Sequence, residues 1–284
     1  MATVTRSATQ QNPASETKPE PAAYYRTLLR SGKAPVNGFE MYYEMHGTVT
    51  GRPLVTIHPA WGTANVFPAL ARNRQLIALE LQGHGRSTDI DRPLTFEQEA
   101  EDVAALLKYL QIEQADFFGE SSGGTVALLM AVRRPALVRR VATYGGSFAA
   151  FPKAREELPS DAYPFQFQRE GYERVAPDPT QWPTLFAKVR RMQWQGFSPD
   201  ELKSITAPVL IASGDHDFGL LEQSVEISRL IPNAQLAIIP GSSHFVLSSD
   251  PEKLLPVVAT FLDEPESEIP FGTPQTGYHP GVTR

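Results

Sequence analysis

DFFGESSGGTVALLMAV, residues 116–132, is the stretch that decides the fold. Its first three residues are an apolar run of strand character, and Thr125–Val132 are an apolar helix. Between them lies Gly119-Glu120-Ser121-Ser122-Gly123-Gly124. A bare G-x-S-x-G arises by chance roughly 0.1 times in a chain of this length. The strand before and the helix after give it meaning. A turn this tight forces the central residue into a strained conformation, and positions two residues to either side must lack side chains. Gly119 and Gly123 meet that need, and the register makes Ser121, not Ser122, the candidate nucleophile. The helix that follows directs its positive N-terminal dipole toward charge developing at the turn.

Working outward, short apolar strands alternate with helices. Strands are expected at Phe39–Met45, Leu54–His58, Leu76–Leu81, Asp116–Gly119, Val141–Tyr144, Pro208–Ala212 and Leu236–Ile239. Helices are expected at Ala64–Arg72, from Thr95, at Gly123–Val132, Leu221–Leu230 and Pro251–Leu262. Thr95 and Gln98 have capping-box spacing, and Ala100, Val103, Leu106, Leu107 and Leu110 recur at helical intervals. The alternation predicts an α/β fold, with a mostly parallel central sheet of about eight strands and helices on both faces.

The rhythm breaks after the sixth strand. Residues 148–200 are rich in proline and aromatics and hold Trp182 and Trp194, so they read as a small helical cap over the strand ends. The core is then 35–147 and 201–264. Residues 1–34 and 265–284 are polar and Pro/Gly-bearing and read as disordered tails, with a short helix around Tyr24–Leu29.

Composition narrows the function. A hydrophobic share of 41% and a charged share of 20% fit an ordinary globular chain. The net charge of −6 argues against a nucleic-acid partner, and the cluster Arg133, Arg134, Arg139 and Arg140 reads as helix-dipole partners and surface. With no cysteine, thiol nucleophiles and disulfides are excluded. No apolar run is long enough to span a membrane, and the N-terminus lacks the apolar core of a secretory signal, so a cytoplasmic location is expected.

A serine needs a base, and that base needs an orienting carboxylate. Among six histidines, His244 follows the last strand and precedes the final helix, at the carboxyl edge of the sheet. Asp217, three residues past Gly214 at the end of strand PVLIA, is the preferred acid, with Asp215 as the alternative. The Asp215-His216-Asp217 run has no companion histidine motif, so no metal is expected.

From about Asn37 to Leu262 the chain resembles an α/β-hydrolase of the small-cap serine type, the carboxylesterase- and lactonase-like branch. The residues that carry the resemblance are Val36-Asn37-Gly38 leading to YYEMHG, His58-Pro59-Ala60-Trp61-Gly62 and Gly83-His84-Gly85-Arg86-Ser87. The elbow, the Gly214–Asp217 turn and Gly241–His244 complete them. The resemblance implies a Ser121-His244-Asp217 triad, with oxyanion donors at the backbone N–H of Ser122 and of Ala60, Trp61 being the second choice. Two departures stand out. Pro59 replaces the usual glycine and has no N–H, and Glu80 stands where Asp is usual, before a turn in which His84 is expected to be structural. A small-molecule ester or lactone substrate is implied, with no cofactor. C–C bond hydrolysis of a diketone, thioester hydrolysis and perhydrolysis are alternatives on the same triad. A non-catalytic ligand receptor and a cofactor-free oxygenase are alternatives outside it. Serine at the elbow argues against dehalogenase or epoxide-hydrolase chemistry, which needs a carboxylate there. Tyr163, Phe165, Phe167 and the set Trp61, Trp182, Phe186, Trp194 and Phe245 are expected to give an apolar pocket, some of the cap aromatics serving as the cap's own core.

Overall fold

The computed structural model describes residues 26–146, 148, 150, 165–219 and 221–264. Eight strands form one sheet in the order β1-β2-β4-β3-β5-β6-β7-β8. They are β1 (Leu28–Val36), β2 (Phe39–Gly47), β3 (Arg52–Ile57), β4 (Arg74–Leu79), β5 (Ala115–Glu120), β6 (Val138–Tyr144), β7 (Val209–His216) and β8 (Ala234–Ser243). β1 pairs antiparallel with β2, and β2 with β4; every pairing from β4 onward is parallel.

Side chains alternate across the parallel strands, which is why both faces can be covered. Val55, Phe117, Val141 and Ile211 join one buried cluster, whereas Leu54, Phe118, Ala142 and Leu210 join the other. Helix α1 (Phe96–Tyr109) and helix α2 (Ser122–Arg133) pack together on the first face. α1 starts where the Thr95 hydroxyl accepts from the Gln98 N–H at 3.2 Å. The Gln98 amide turns instead to Asp102, at 3.0 Å. The stripe Ala100, Val103, Leu106 and Leu107 is fully buried, each Leu or Val contributing about 1.5–3 kcal/mol. The segment between β6 and β7 contains α3 (Gln166–Val175), α4 (Trp182–Arg191) and α5 (Pro199–Ser204). α6 (Leu221–Leu230), α7 (Val246–Ser249) and α8 (Leu255–Asp263) complete the chain, with Val258, Phe261 and Leu262 of α8 covering the second face.

Three expectations change. Residues 28–34, read as tail, belong to edge strand β1, so the expected helix does not extend into Leu28–Leu29. The cause is Asn37-Gly38, whose φ values of 43° and 93° make the left-handed two-residue turn that closes a hairpin. Ala64–Phe67 is irregular and Pro68–Ala71 a turn, with no helix, because Pro68 and the tie of Ala64 N–H to the Glu80 carboxylate interrupt it. Residues 1–25, 151–164 (Tyr163 among them) and 265–284 lie outside the described residues. The arginine cluster is tied to carboxylates: Arg134 to Glu101, Arg139 to Asp116 and Arg140 to Glu264. Among the described residues no helix is long and apolar enough to cross a membrane.

Candidate active site

The parallel strands end in register, and their carboxyl ends deliver the site. Ile57 lies beside Gly119, Glu120 beside Tyr144, and Tyr144 beside Ala212. One residue separates the end of β5 from the start of α2. That residue is Ser121, at φ 54° and ψ −122°. Such a conformation costs a non-glycine residue about 1–3 kcal/mol and persists only where its surroundings enforce it. Here the Ser121 N–H donates to Tyr144 O at 2.8 Å, and Ser121 O accepts from Gly124 N–H at 2.9 Å. The flanking glycines are steric necessities. A Cβ on Gly119 would lie 2.1 Å from Gly123 O, and one on Gly123 would lie 2.3 Å from Ile57 O.

His244 follows β8, and Asp217 follows β7. The imidazole Nδ1–H donates to Asp217 Oδ1 at 2.9 Å, with the carboxylate 1% exposed. The same oxygen accepts from the Gly219 N–H at 3.0 Å. This contact fixes the tautomer and leaves Nε2 with its lone pair. The Phe218 ring covers the imidazole at 3.9 Å between centroids. Asp215 is exposed and accepts from the Ser242 N–H at 3.0 Å. Backbone N–H groups of Gly241 and Ser242 hold its carboxyl below the usual range, so it shapes the loop carrying His244 and does not touch the ring. Among the described residues no three His, Asp or Glu side chains gather as metal ligands would.

The loop after β3 is held by His58. Its Nδ1–H donates to Pro59 O at 2.8 Å and its Nε2 accepts from the Leu81 N–H at 3.1 Å. Burial holds this imidazole below its usual pKa, hence neutral. Trp61 takes φ 59° in the turn closed by Gly62 N–H on Pro59 O. Glu80 is fully buried and binds the Ala64 N–H and the Arg86 guanidinium, tying this loop to the Gly83–Ser87 turn. His84 packs on His58 in that turn.

A cavity of about 400 Å³ brings Ser121, Ser122, His244, Ala60 and Trp61 to one wall system. Of the expected aromatic lining, Trp61, Phe165, Phe167 and Phe245 reach it. Trp182, Phe186 and Trp194 do not. Trp182 packs on Tyr172 and Phe186, Phe186 stacks behind Trp61, and Trp194 meets Phe96 edge-on. They pack in the core beneath the segment between β6 and β7 in place of lining the cavity, as large side chains on the inner face of an amphipathic helix do.

Three residues of the site escape sequence reading. Gly145, at φ 60°, passes so close that a Cβ would lie 2.8 Å from His244 Nδ1 and 2.9 Å from Asp217 Oδ2. Glu120 is buried in the cavity wall and accepts from the Asn65 amide at 3.1 Å. Burial lifts its pKa to about 7, against the opposing pull of His244 and the Asn65 hydrogen bond. Glu99 of α1 lines the same cavity. Gly145-Gly146 at a strand end and Glu99 on the apolar stripe of α1 are visible in the sequence, but neither spacing marks an approach to the site.

Residues 46–257 match the model of the alpha/beta hydrolase family, and the chain belongs to that family. A 2-hydroxymuconate semialdehyde hydrolase of Pseudomonas sp. (strain CF600) is 35% identical over 119 residues, covering 38% of this chain and 41% of that protein. The mouse Serine hydrolase BPHL is 31% identical over 138 residues, 45% of this chain and 47% of its own length. The chain therefore spans under half the length of these two relatives. The enol-lactonase from Burkholderia xenovorans LB400 superposes with a TM-score of 0.69 at 22% identity, covering 82% of this chain and all of that one. At that identity the likeness speaks to fold alone.

Proposed function

We propose that this protein is a serine hydrolase that cleaves a small carboxylic ester or lactone through an acyl-enzyme. Ser121 Oγ attacks the carbonyl carbon while His244 Nε2 accepts its proton. The same imidazole returns the proton to the leaving oxygen, and then activates a water that releases the acid. Asp217 holds the tautomer and stabilises the positive charge on the ring. The backbone N–H groups of Ser122 and Ala60, with Trp61 as second choice, receive the oxyanion. Pro59 takes no part as a donor and stiffens the loop.

The observation that carries this reading is a serine at φ 54° sharing one cavity with a histidine whose Nδ1–H is already committed to a buried carboxylate. A neutral surface role explains neither the strain nor the buried pair. The second reading, C–C bond hydrolysis, is favoured by the partial match to the 2-hydroxymuconate semialdehyde hydrolase.

The test is a panel on the purified protein of nitrophenyl esters, lactones, thioesters and a ring-opened dienone acid. Ester or lactone turnover that falls at least ~10³-fold in Ser121→Ala is expected. Exclusive turnover of the dienone acid would shift the assignment to C–C cleavage. No turnover of any member would favour a ligand receptor.

A further inference from the structure

α1 turns one face to the protein interior, and on that face, among Phe96, Ala100 and Val103, sits Glu99. The residue is 4% exposed and lines the cavity shared by Ser121 and His244. No hydrogen bond to its carboxyl is found among the described residues. Arg92, whose charge acts on it, is engaged elsewhere, donating to Asp102 Oδ2 at 2.6 Å and to Gln82 at 2.7 Å. Burial, reinforced by Asp102 and Glu97 and opposed by Arg92, lifts the Glu99 pKa to about 8. At neutral pH the group is therefore an un-ionised carboxyl with an O–H to give. His84 lines the same cavity with its buried Nε2 unpartnered, and no hydrogen bond joins it to Glu99. Its Nδ1–H donates to Gln82 O at 3.0 Å, and burial holds the ring neutral.

Placing a carboxyl on a buried helix face costs its desolvation, and leucine at this position would fill the face without that cost. Glu99 lines the cavity beside Leu81, Phe96, Val189 and Met192, an apolar stretch of a wall that elsewhere carries Asn65, Glu120, Gln168 and Arg174, and a few placed polar groups in such a wall are what orient a ligand.

We propose that Glu99 is a specificity-determining residue, its carboxyl receiving a neutral oxygen acceptor, a keto or ether oxygen, carried by the substrate beyond the scissile carbonyl. The inference rests on the ester-hydrolase reading only for the reaction, not for the binding. It makes the preferred substrate an oxo- or alkoxy-substituted ester or lactone in place of a plain hydrocarbon one.

The experiment compares nitrophenyl esters of straight-chain acids with those bearing one keto group, walked along the chain from C4 to C7. Wild type, Glu99→Gln and Glu99→Leu are measured. At one keto position wild type is expected to show kcat/KM about 10-fold above the plain ester, the worth of one buried hydrogen bond. Glu99→Gln, which keeps a donor, should hold most of that preference, and Glu99→Leu should abolish it. Calorimetry with the uncleavable propyl amides of the same acids reads binding independently of turnover. If neither ester is cleaved but the keto amide binds about 10-fold tighter through Glu99, the hydrolase reading falls and the subsite stands. Equal preference in wild type and Glu99→Leu, or a wild-type preference for a 6-aminohexanoyl ester, would overturn the subsite.

Discussion

Replacing Asp217 by Asn tests the site's electrostatics with almost no change of shape. Asp217 Oδ1 lies 2.9 Å from His244 Nδ1, and the carboxylate is 1% exposed, so water screens the pair poorly. Opposite unit charges with centres roughly 4 Å apart interact by about 4 kcal/mol at an effective dielectric near 20. That energy acts when the imidazole becomes positive, as Ser121 loses its proton, and at about 1.36 kcal/mol per tenfold it corresponds to roughly three decades in kcat. Asparagine can still turn its amide oxygen toward Nδ1–H, or present its NH₂ and enforce the wrong tautomer. The second outcome adds up to about another tenfold. The expected loss is therefore about 10³- to 10⁴-fold in kcat with KM nearly unchanged, measured by stopped-time hydrolysis of a nitrophenyl ester. Asp215 is exposed and bonds only to backbone, so Asp215→Asn is expected within a few fold of wild type. An Asp217→Asn variant retaining more than a tenth of the activity, or an equal loss in Asp215→Asn, would refute the reasoning.

Gly145→Ala places a methyl group 2.8 Å from His244 Nδ1. Displacing the ring by a fraction of an ångström should cost about 10²-fold in kcat/KM with a cooperative melt retained; wild-type kinetics in that variant would contradict the packing. Glu120→Gln tests the raised carboxyl. Its folded pKa of about 7 exceeds the ordinary 4.5, so the unfolded chain ionises first and wild type loses stability as pH rises from 4.5 to 7. The loss amounts to about 3 kcal/mol. The melting-temperature advantage of Glu120→Gln should therefore grow across that window and level off above it, and a flat difference would disprove it. Trp182, 1% exposed behind the cavity, should cost about 3–5 kcal/mol of stability as Trp182→Ala. Its KM should stay near wild type; a raised KM at unchanged melting temperature would put the ring in the pocket.

The elbow was legible because a tight strand–turn–helix dictates glycines at fixed spacing, and the mostly parallel sheet was legible because its strands are short, apolar and alternate with helices. His244 and Asp217 could be located because each follows a strand whose carboxyl end faces the elbow. Tertiary approach is a different matter. Nothing local marks Gly145 as the backbone that passes behind the His244–Asp217 pair, and although Glu99 falls on the apolar stripe of α1 between Phe96 and Val103, periodicity does not tell that this position opens on the cavity. Strand β1 was hidden by its polar edge residues Arg30, Ser31 and Lys33, although Asn37-Gly38 announced the hairpin. Of the aromatics between β6 and β7, Phe165 and Phe167 line the cavity while Trp182, Phe186 and Trp194 pack behind it, a division that composition cannot make because it does not tell a wall from the core behind it.

The proposed reaction requires that Ser121 form a covalent acyl-enzyme. Brief reaction with a fluorophosphonate, followed by intact-mass and peptide-mass analysis, measures this directly. One adduct per chain, on the peptide containing Ser121 and absent from Ser121→Ala, is the predicted result. Labelling elsewhere, or no labelling beside full ester turnover in Ser121→Ala, would contradict it.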